Sequence, residues 1–290
     1  MNAYFQKYQA LGNDMVVIDP ATFDYPLMPA TARLICDRHF GLGADGICYG
    51  PLPNAAKPRT MRFFNPDGSE SAKSGNGLRI FARYVWEQGY AGTDVAPWPM
   101  PTFEIGIGSE RVQVEIMDQT AHTIALTMGG LSFHSRAIPV AGPAREVVEE
   151  EVIIAGTKYR ITAVTIGNPH CVIFTGTISQ TTCCTVGPCI ETDTFFPDRT
   201  NVQFVEVLDR HTIRIEIWER GAGYTLASGT SACAAAGAAI RTGRCDSPVA
   251  VSMPGGTARV AVDEARQVTL TGTVEGVCRG IFAAELVAKF

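Results

Sequence analysis

Apolar and polar residues alternate in short runs along most of the chain. Segments rich in Val, Ile, Thr and Phe, bounded by Gly, Pro and Asp, predict strands near 4–8, 14–19, 61–65, 103–107, 111–117, 122–127, 152–154, 159–166, 171–174, 202–207, 211–218, 248–252, 257–263, 267–273 and 278–287. Helical spacing of apolar positions is confined to 30–39, 76–89 and 230–243. Many strands with few helices predict an α+β protein in which each half is a curved sheet holding one main helix.

The pattern repeats. "LGNDMVVID" (11–19) is similar to "IGNPHCVIF" (166–174), and "SGNGLRIFA" (74–82) to "SGTSACAAA" (228–236), at offsets of 155 and 154 residues. Two motifs kept in order at nearly one offset predict two pseudosymmetric half-domains. The expected division is 1–127, completed by the last strand at 277–290, and 128–276.

Ser74 and Ser228 each precede glycine at a predicted helix start. Taken singly, each is a helix cap. Taken as a symmetric pair, they mark two helix N-termini with free N–H groups and positive dipole ends, which together suit a small carboxylate held in an interdomain cleft. Two side chains flanking the carbon beside that carboxylate are what a cofactor-free racemase requires. One takes the Cα proton from one face and the other returns a proton to the opposite face. Cysteine suits the task, because a thiolate at a helix N-terminus has a depressed pKa. A serine hydroxyl is far less acidic and needs a neighbouring base.

Composition narrows the field. The chain has 290 residues and a net charge of −5, which gives no basic footprint for nucleic acid. No apolar run reaches the length of a membrane span, and the first residues do not read as a signal peptide. Nine scattered cysteines fit a reducing cytoplasm.

The motifs "LGND" (11–14), "RHFGLGADG" (38–46), "FFNPDGSE" (63–70), "SGNG" (74–77), "GNPH" (167–170), "TNVQFV" (200–205), "ERGAG" (219–223) and "SGTSACAA" (228–235) resemble, in order, those of the diaminopimelate epimerase family. These are amino-acid racemases and epimerases that work without pyridoxal phosphate. The resemblance implies two pseudosymmetric halves, each a barrel of strands around a central helix, and an isomerase of lysine biosynthesis acting on diaminopimelate. It puts the two catalytic cysteines of the family on Ser74 and Ser228, with His170 and Glu219 beside them. It carries substrate contacts to Asn13, Asn65, Asn168, Asn201, Glu219 and Arg220, and backbone donors to Gly75, Asn76, Gly229 and Thr230. Tyr224 stands where the family usually has glutamate, and Lys73 precedes the first serine; both are specificity candidates. The serines imply a nearly inactive form, either exchanged to trap a substrate complex or belonging to a natural relative with other chemistry. The intact surroundings favour the exchange. Racemisation of histidine, lysine or ornithine is the runner-up, followed by an isomerase or lyase of the same fold using Lys73 or another base, and by an amino-acid-binding protein. The implied partner is a small amino-acid substrate, with neither nucleic acid nor membrane, no cofactor and no metal; a homodimer is the assembly considered.

Other patterns read as decoys. Gly41 to Gly46 spells G-x-G-x-x-G but follows a helical stretch, which is the wrong order for a dinucleotide turn. "CCTVGPC" (183–189) lacks a fourth clustered ligand for zinc and reads as a loop. His39, His122, His134 and His211 read as surface or packing residues, and the Ala/Gly run 232–239 as a buried helix.

Overall fold

The computed structural model describes residues 2–53, 59–71, 74–92, 95 and 98–290. The chain forms two compact units, 1–126 with 272–290, and 127–271. The first half runs β1 (Tyr4–Ala10), β2 (Asn13–Ile18), α1 (Pro29–Cys36), β3 (Ile47–Tyr49), β4 (Thr60–Phe64), β5 (Glu70–Ser71), α2 (Gly75–Glu87), β6 (Thr102–Ile107), β7 (Glu110–Ile116) and β8 (Thr123–Gly130). After β9 (Glu150–Ile154), the second half runs β10 (Thr157–Thr165), β11 (Pro169–Phe174), α3 (Gln180–Glu191), β12 (Asn201–Asp209), β13 (Thr212–Glu219), β14 (Gly223–Thr225), α4 (Gly229–Arg241), β15 (Val249–Met253), β16 (Gly256–Val262) and β17 (Gln267–Thr273). The chain ends with β18 (Glu275–Ile281) and α5 (Ala284–Val287).

The internal repeat governs strand pairing. β1–β2 is an antiparallel hairpin, β2–β3 is parallel, β3–β4 and β4–β5 are antiparallel, β4–β6 is parallel and β6–β7 antiparallel. In the second unit β10–β11, β11–β12, β12–β13, β13–β14, β13–β15 and β15–β16 follow the same order with the same senses. A helix follows the hairpin in both units, α1 in one and α3 in the other, and a second helix follows the short strand, α2 and α4.

α2 and α4 are buried on nearly every side. Along α2, Gly75 to Ala82 are continuously buried, as are Ser231 to Ala239 along α4. A helix enclosed by strands loses the polar face of a surface helix. In α4 small residues allow the close approach: a Cβ on Gly237 would lie 2.4 Å from Leu131 Cδ1. Each helix ends on a glycine in the left-handed region, Gly89 at φ 72° and Gly243 at φ 70°, satisfying last-turn carbonyls. A Cβ at either glycine meets nothing within 4 Å. Gly89→Ala and Gly243→Ala are therefore expected to lose about 1 kcal/mol each from backbone strain alone. Urea unfolding checks this; an unchanged midpoint at either site contradicts it.

The structure corrects two sequence expectations. "CCTVGPC" is not a loop: it lies inside α3, capped by Ser179 Oγ accepting from Thr182 N at 3.1 Å. The segment 278–287 is not one strand, since β18 stops at Ile281 and α5 follows. Each unit holds a second helix besides its buried one: α1, at the helix expected over 30–39, and α3. β18 pairs antiparallel with β1, Tyr4 opposite Ile281. Around that pair, Phe5, Phe23, Phe282 and Phe290 form an aromatic cluster over the apolar core of α1. Among the described residues, no helix is long and apolar enough to cross a membrane.

Candidate active site

In the first unit Ser74 is extended (φ −138°, ψ 116°) and its Oγ accepts from Gly77 N at 3.1 Å, closing the first turn of α2. In the second unit Ser228 has nearly the same backbone (φ −142°, ψ 124°), and its Oγ accepts from Ser231 N at 3.4 Å at the start of α4. The two caps are one local structure made twice. Each opens a helix whose first turn begins with Gly75 and Asn76 in one case and with Gly229 and Thr230 in the other.

Around Ser74 the hairpin tip brings Asn13 to the helix start. Asn76 is buried, and its Nδ2 donates to Asn13 Oδ1 at 3.1 Å. Asn65 occupies the β4–β5 turn, where its Nδ2 donates to Ser69 Oγ at 3.0 Å. Lys73 lies outside the described residues.

Around Ser228 more polar groups converge. Glu219 ends β13. Burial raises its carboxyl pKa, and a hydrogen bond from Ser228 pulls the other way. His170, on β11, is fully buried; burial pushes it down to about 3, Arg220 adds to the lowering, and the Gln203 amide beside it works against both. The imidazole is therefore neutral near pH 7. Its Nε2 lies 2.9 Å from Asn168 Oδ1, and Asn168 Nδ2 lies 3.5 Å from Thr230 Oγ1. Asn201 Nδ2 donates to Pro169 O at 2.8 Å while its Oδ1 accepts from Arg220 N at 3.0 Å, tying the "GNPH" turn to the "ERGAG" turn. The Arg220 side chain is exposed and donates to Asp198 O at 3.0 Å. Tyr224 directs its hydroxyl to Glu216 Oε2 at 2.7 Å and its ring against the core of the unit.

Sequence reasoning passed over three residues that build these surroundings. Gln203 Nε2 donates to Ser231 Oγ at 3.0 Å. Glu191, on α3, accepts from Trp218 Nε1 at 2.7 Å and from Gly221 N at 2.9 Å, bracing the turn that carries Glu219 and Arg220. Arg79 is fully buried one turn into α2. The available signal for Gln203 and Arg79 was a polar residue in the buried phase of an apolar element. Among the described residues, no three His, Cys, Asp or Glu side chains are grouped to hold a metal ion.

The profile of the diaminopimelate epimerase family matches residues 5–133 and 162–277. The chain belongs to the diaminopimelate epimerase family. Diaminopimelate epimerase 2 of Nostoc sp. is 46% identical over 284 residues, covering 98% of this chain and 97% of that one. Diaminopimelate epimerase of Moorella thermoacetica is 40% identical over 284 residues, covering 96% and 99%. Among solved structures, a hydroxyproline epimerase of Agrobacterium vitis with bound trans-4-hydroxy-L-proline shares the fold at TM-score 0.69 and 12% identity, covering 98% of this chain and 94% of that one. A methylitaconate-Δ-isomerase shares it at TM-score 0.67 and 11% identity, covering 100% and 97%.

Proposed function

We propose that this protein is a cofactor-independent amino-acid epimerase scaffold for diaminopimelate, and that serine at 74 and 228 leaves it nearly inactive. The duplicated cap carries the reading: equivalent helix starts in the two units present the same serine with the same backbone. Free N–H groups and the positive end of a helix dipole stabilise a carboxylate, most of all as charge grows on it when the Cα proton leaves. Inversion needs two proton-handling groups, and each unit supplies one equivalent position. Glu219, whose carboxyl pKa burial raises and the Ser228 hydrogen bond lowers, is read as a proton-handling partner of that serine. Neutral His170 is read as the second such partner. Asn13, Asn65, Asn168, Asn201 and Arg220 are read as the polar set that holds the substrate's ammonium and carboxylate groups, with Tyr224 and Lys73 shaping specificity. The cytoplasm is the proposed compartment, supported by nine cysteines scattered along the chain. A homodimer is the proposed assembly, and the exposed Val277 and Ile281 of β18 offer it apolar surface.

A ligand panel on the serine form, read by thermal shift, tests the substrate. Saturation at ~100 times the dissociation constant adds ~2.7 kcal/mol. Stabilisation by diaminopimelate is expected; stabilisation by histidine, lysine or ornithine instead overturns the assignment. Arg220→Met is expected to weaken diaminopimelate binding by ~1.5–3 kcal/mol, the worth of a charge-assisted hydrogen bond. Calorimetry against amino acids with and without a distal carboxylate checks it, and equal losses for both sets contradict a role in reading that carboxylate.

A further inference from the structure

The G-x-G-x-x-G loop has no place in the function above, yet Asp45 within it ends a chain of side-chain hydrogen bonds that begins at a buried cation. Arg79 Nη2 donates to Asn76 Oδ1 at 2.7 Å, one turn away on α2. Asn76 Nδ2 donates to Asn13 Oδ1 at 3.1 Å, and Asn13 Nδ2 donates to Asp45 Oδ2 at 2.8 Å. Asp45 Oδ2 also accepts from Asp14 N at 3.1 Å. Beyond it, Arg38 bridges Asp45 Oδ1 and Asp14 Oδ1, each at 2.7 Å, and Lys7 Nζ meets Asp14 Oδ2 at 2.7 Å. Burial of Asp14 would raise its pKa, but hydrogen bonds from Arg38 and Lys7 outweigh it and hold the group at about 2.

The chemistry at the two ends gives the chain a direction. A guanidinium only donates, and an ionised carboxylate only accepts. Arg79 therefore claims the oxygen of the Asn76 amide, which turns its nitrogen toward Asn13. Asp45 claims the nitrogen of the Asn13 amide, which turns its oxygen toward Asn76. Flipping either amide sets N–H against guanidinium or C=O against carboxylate. An asparagine between neutral partners has no such preference. The glycines of the loop serve its packing: a Cβ on Gly41 would lie 1.8 Å from Leu34 O at the end of α1.

We infer that Asp45 and Arg79 are positioning residues, which lock the amides of Asn13 and Asn76 in one orientation so that Asn13 presents a fixed donor and a fixed acceptor beside the Ser74 helix start. This rests on the reading of Asn13 as a substrate contact.

The test uses the ligand-free serine form, labelled with ¹⁵N asparagine. In Asp45→Ala, the side-chain amide signals of both Asn13 and Asn76 are expected to shift and to exchange with water about ten-fold faster, while Asn65, bonded to Ser69, stays unchanged. Asp45→Asn retains an acceptor oxygen and is expected to keep both signals near their original positions. If Asp45→Ala fails to fold, Asn76→Asp serves instead: it keeps the Arg79 partner but demands an N–H from Asn13, so the Asn13 signal bonded to Asp45 is expected to disappear. An Asn76 signal indifferent to Asp45→Ala, or an Asn13 signal indifferent to Asn76→Asp, overturns the relay. Calorimetry with meso-diaminopimelate then separates the two claims. About ten-fold weaker binding in the variant with the disrupted relay supports positioning, and unchanged affinity there overturns it. Absence of binding even in the unsubstituted protein with its relay signals intact counts against the proposed substrate and leaves the ordering of the amides standing.

Discussion

Ser74→Cys and Ser228→Cys introduced together are expected to convert the protein into an active epimerase, raising Cα proton exchange by at least about 10²-fold. One well-placed acid or base typically contributes 10²–10⁴-fold, and here two are exchanged. A free thiol titrates near 8.5, and a helix N-terminus lowers it further. Ser74 and Ser228 already cap α2 and α4, so each thiol would take up its position at a positive dipole end. Inversion removes a proton from one face and delivers one to the other, and either single variant completes only half of that cycle. The measurement is loss of the Cα proton signal of diaminopimelate in deuterated water, with the stereochemistry of the product followed in parallel. No exchange by the double variant with any amino acid of the panel would sink the reading of the serines as replaced catalytic thiols. The exchange carries a structural cost. A thiol is a weak acceptor, and losing a serine cap typically costs about 1 kcal/mol. The double variant should therefore be less stable than the serine form while being faster.

Acidification should weaken the native fold through His170, and substituting that residue should remove the effect. The imidazole is fully buried, and its pKa in the fold is about 3 against an ordinary value near 6.5. Between those values the unfolded chain binds a proton that the folded chain refuses, so stability rises with pH there. The contribution is complete above about pH 6.5 and is lost as pH falls toward 3, at roughly 1.4 kcal/mol per unit. Glu219 acts in the opposite sense, since its raised pKa favours the fold at lower pH. The native curve alone therefore mixes the two. Comparison with His170→Gln cancels the shared carboxylates. The stability difference between native and His170→Gln is expected to shift in favour of the variant by roughly 3 kcal/mol between pH 7 and pH 4. Urea denaturation at several pH values reads it, and a difference constant with pH contradicts the burial of a neutral imidazole.

The α+β class and the helices α2 and α4 were legible because enclosure by strands demands long apolar runs ended by clear caps. β3, β5 and β14 were not, since two or three residues cannot display an alternation. α3 was hidden by its composition. Cys, Thr, Gly and Pro are poor helix formers, and Gly187 and Pro188 sit inside it. Tertiary packing overrides that propensity: a Cβ on Gly187 would lie 2.7 Å from Trp218 Cβ, so the glycine is what lets the helix settle on β13. The repeat itself held the missing information. Moving Pro29–Cys36 forward by the 155-residue offset of the first motif lands on the end of Gln180–Glu191. In the site, residues named by motif, such as Asn13 and Asn76, are joined by bonds the motifs implied only as proximity. Asp45 was invisible because its loop imitates a nucleotide fingerprint and its role depends on which atom of a neighbouring amide it claims.

The antiparallel seam between β1 and β18 ties the beginning of the chain to its end, while the second unit is one uninterrupted segment, 127–271. Domains of growing chains generally fold from the N-terminus onward. Here the order of completion is reversed. As synthesis proceeds, every residue of the second unit is available before the first receives its closing strand at Glu275–Ile281. On the ribosome the early-made β1 must wait with one edge bare, a template for stray strand pairing. A stop codon just before Glu275 would spare the whole later-made unit and leave the earlier-made one unsealed.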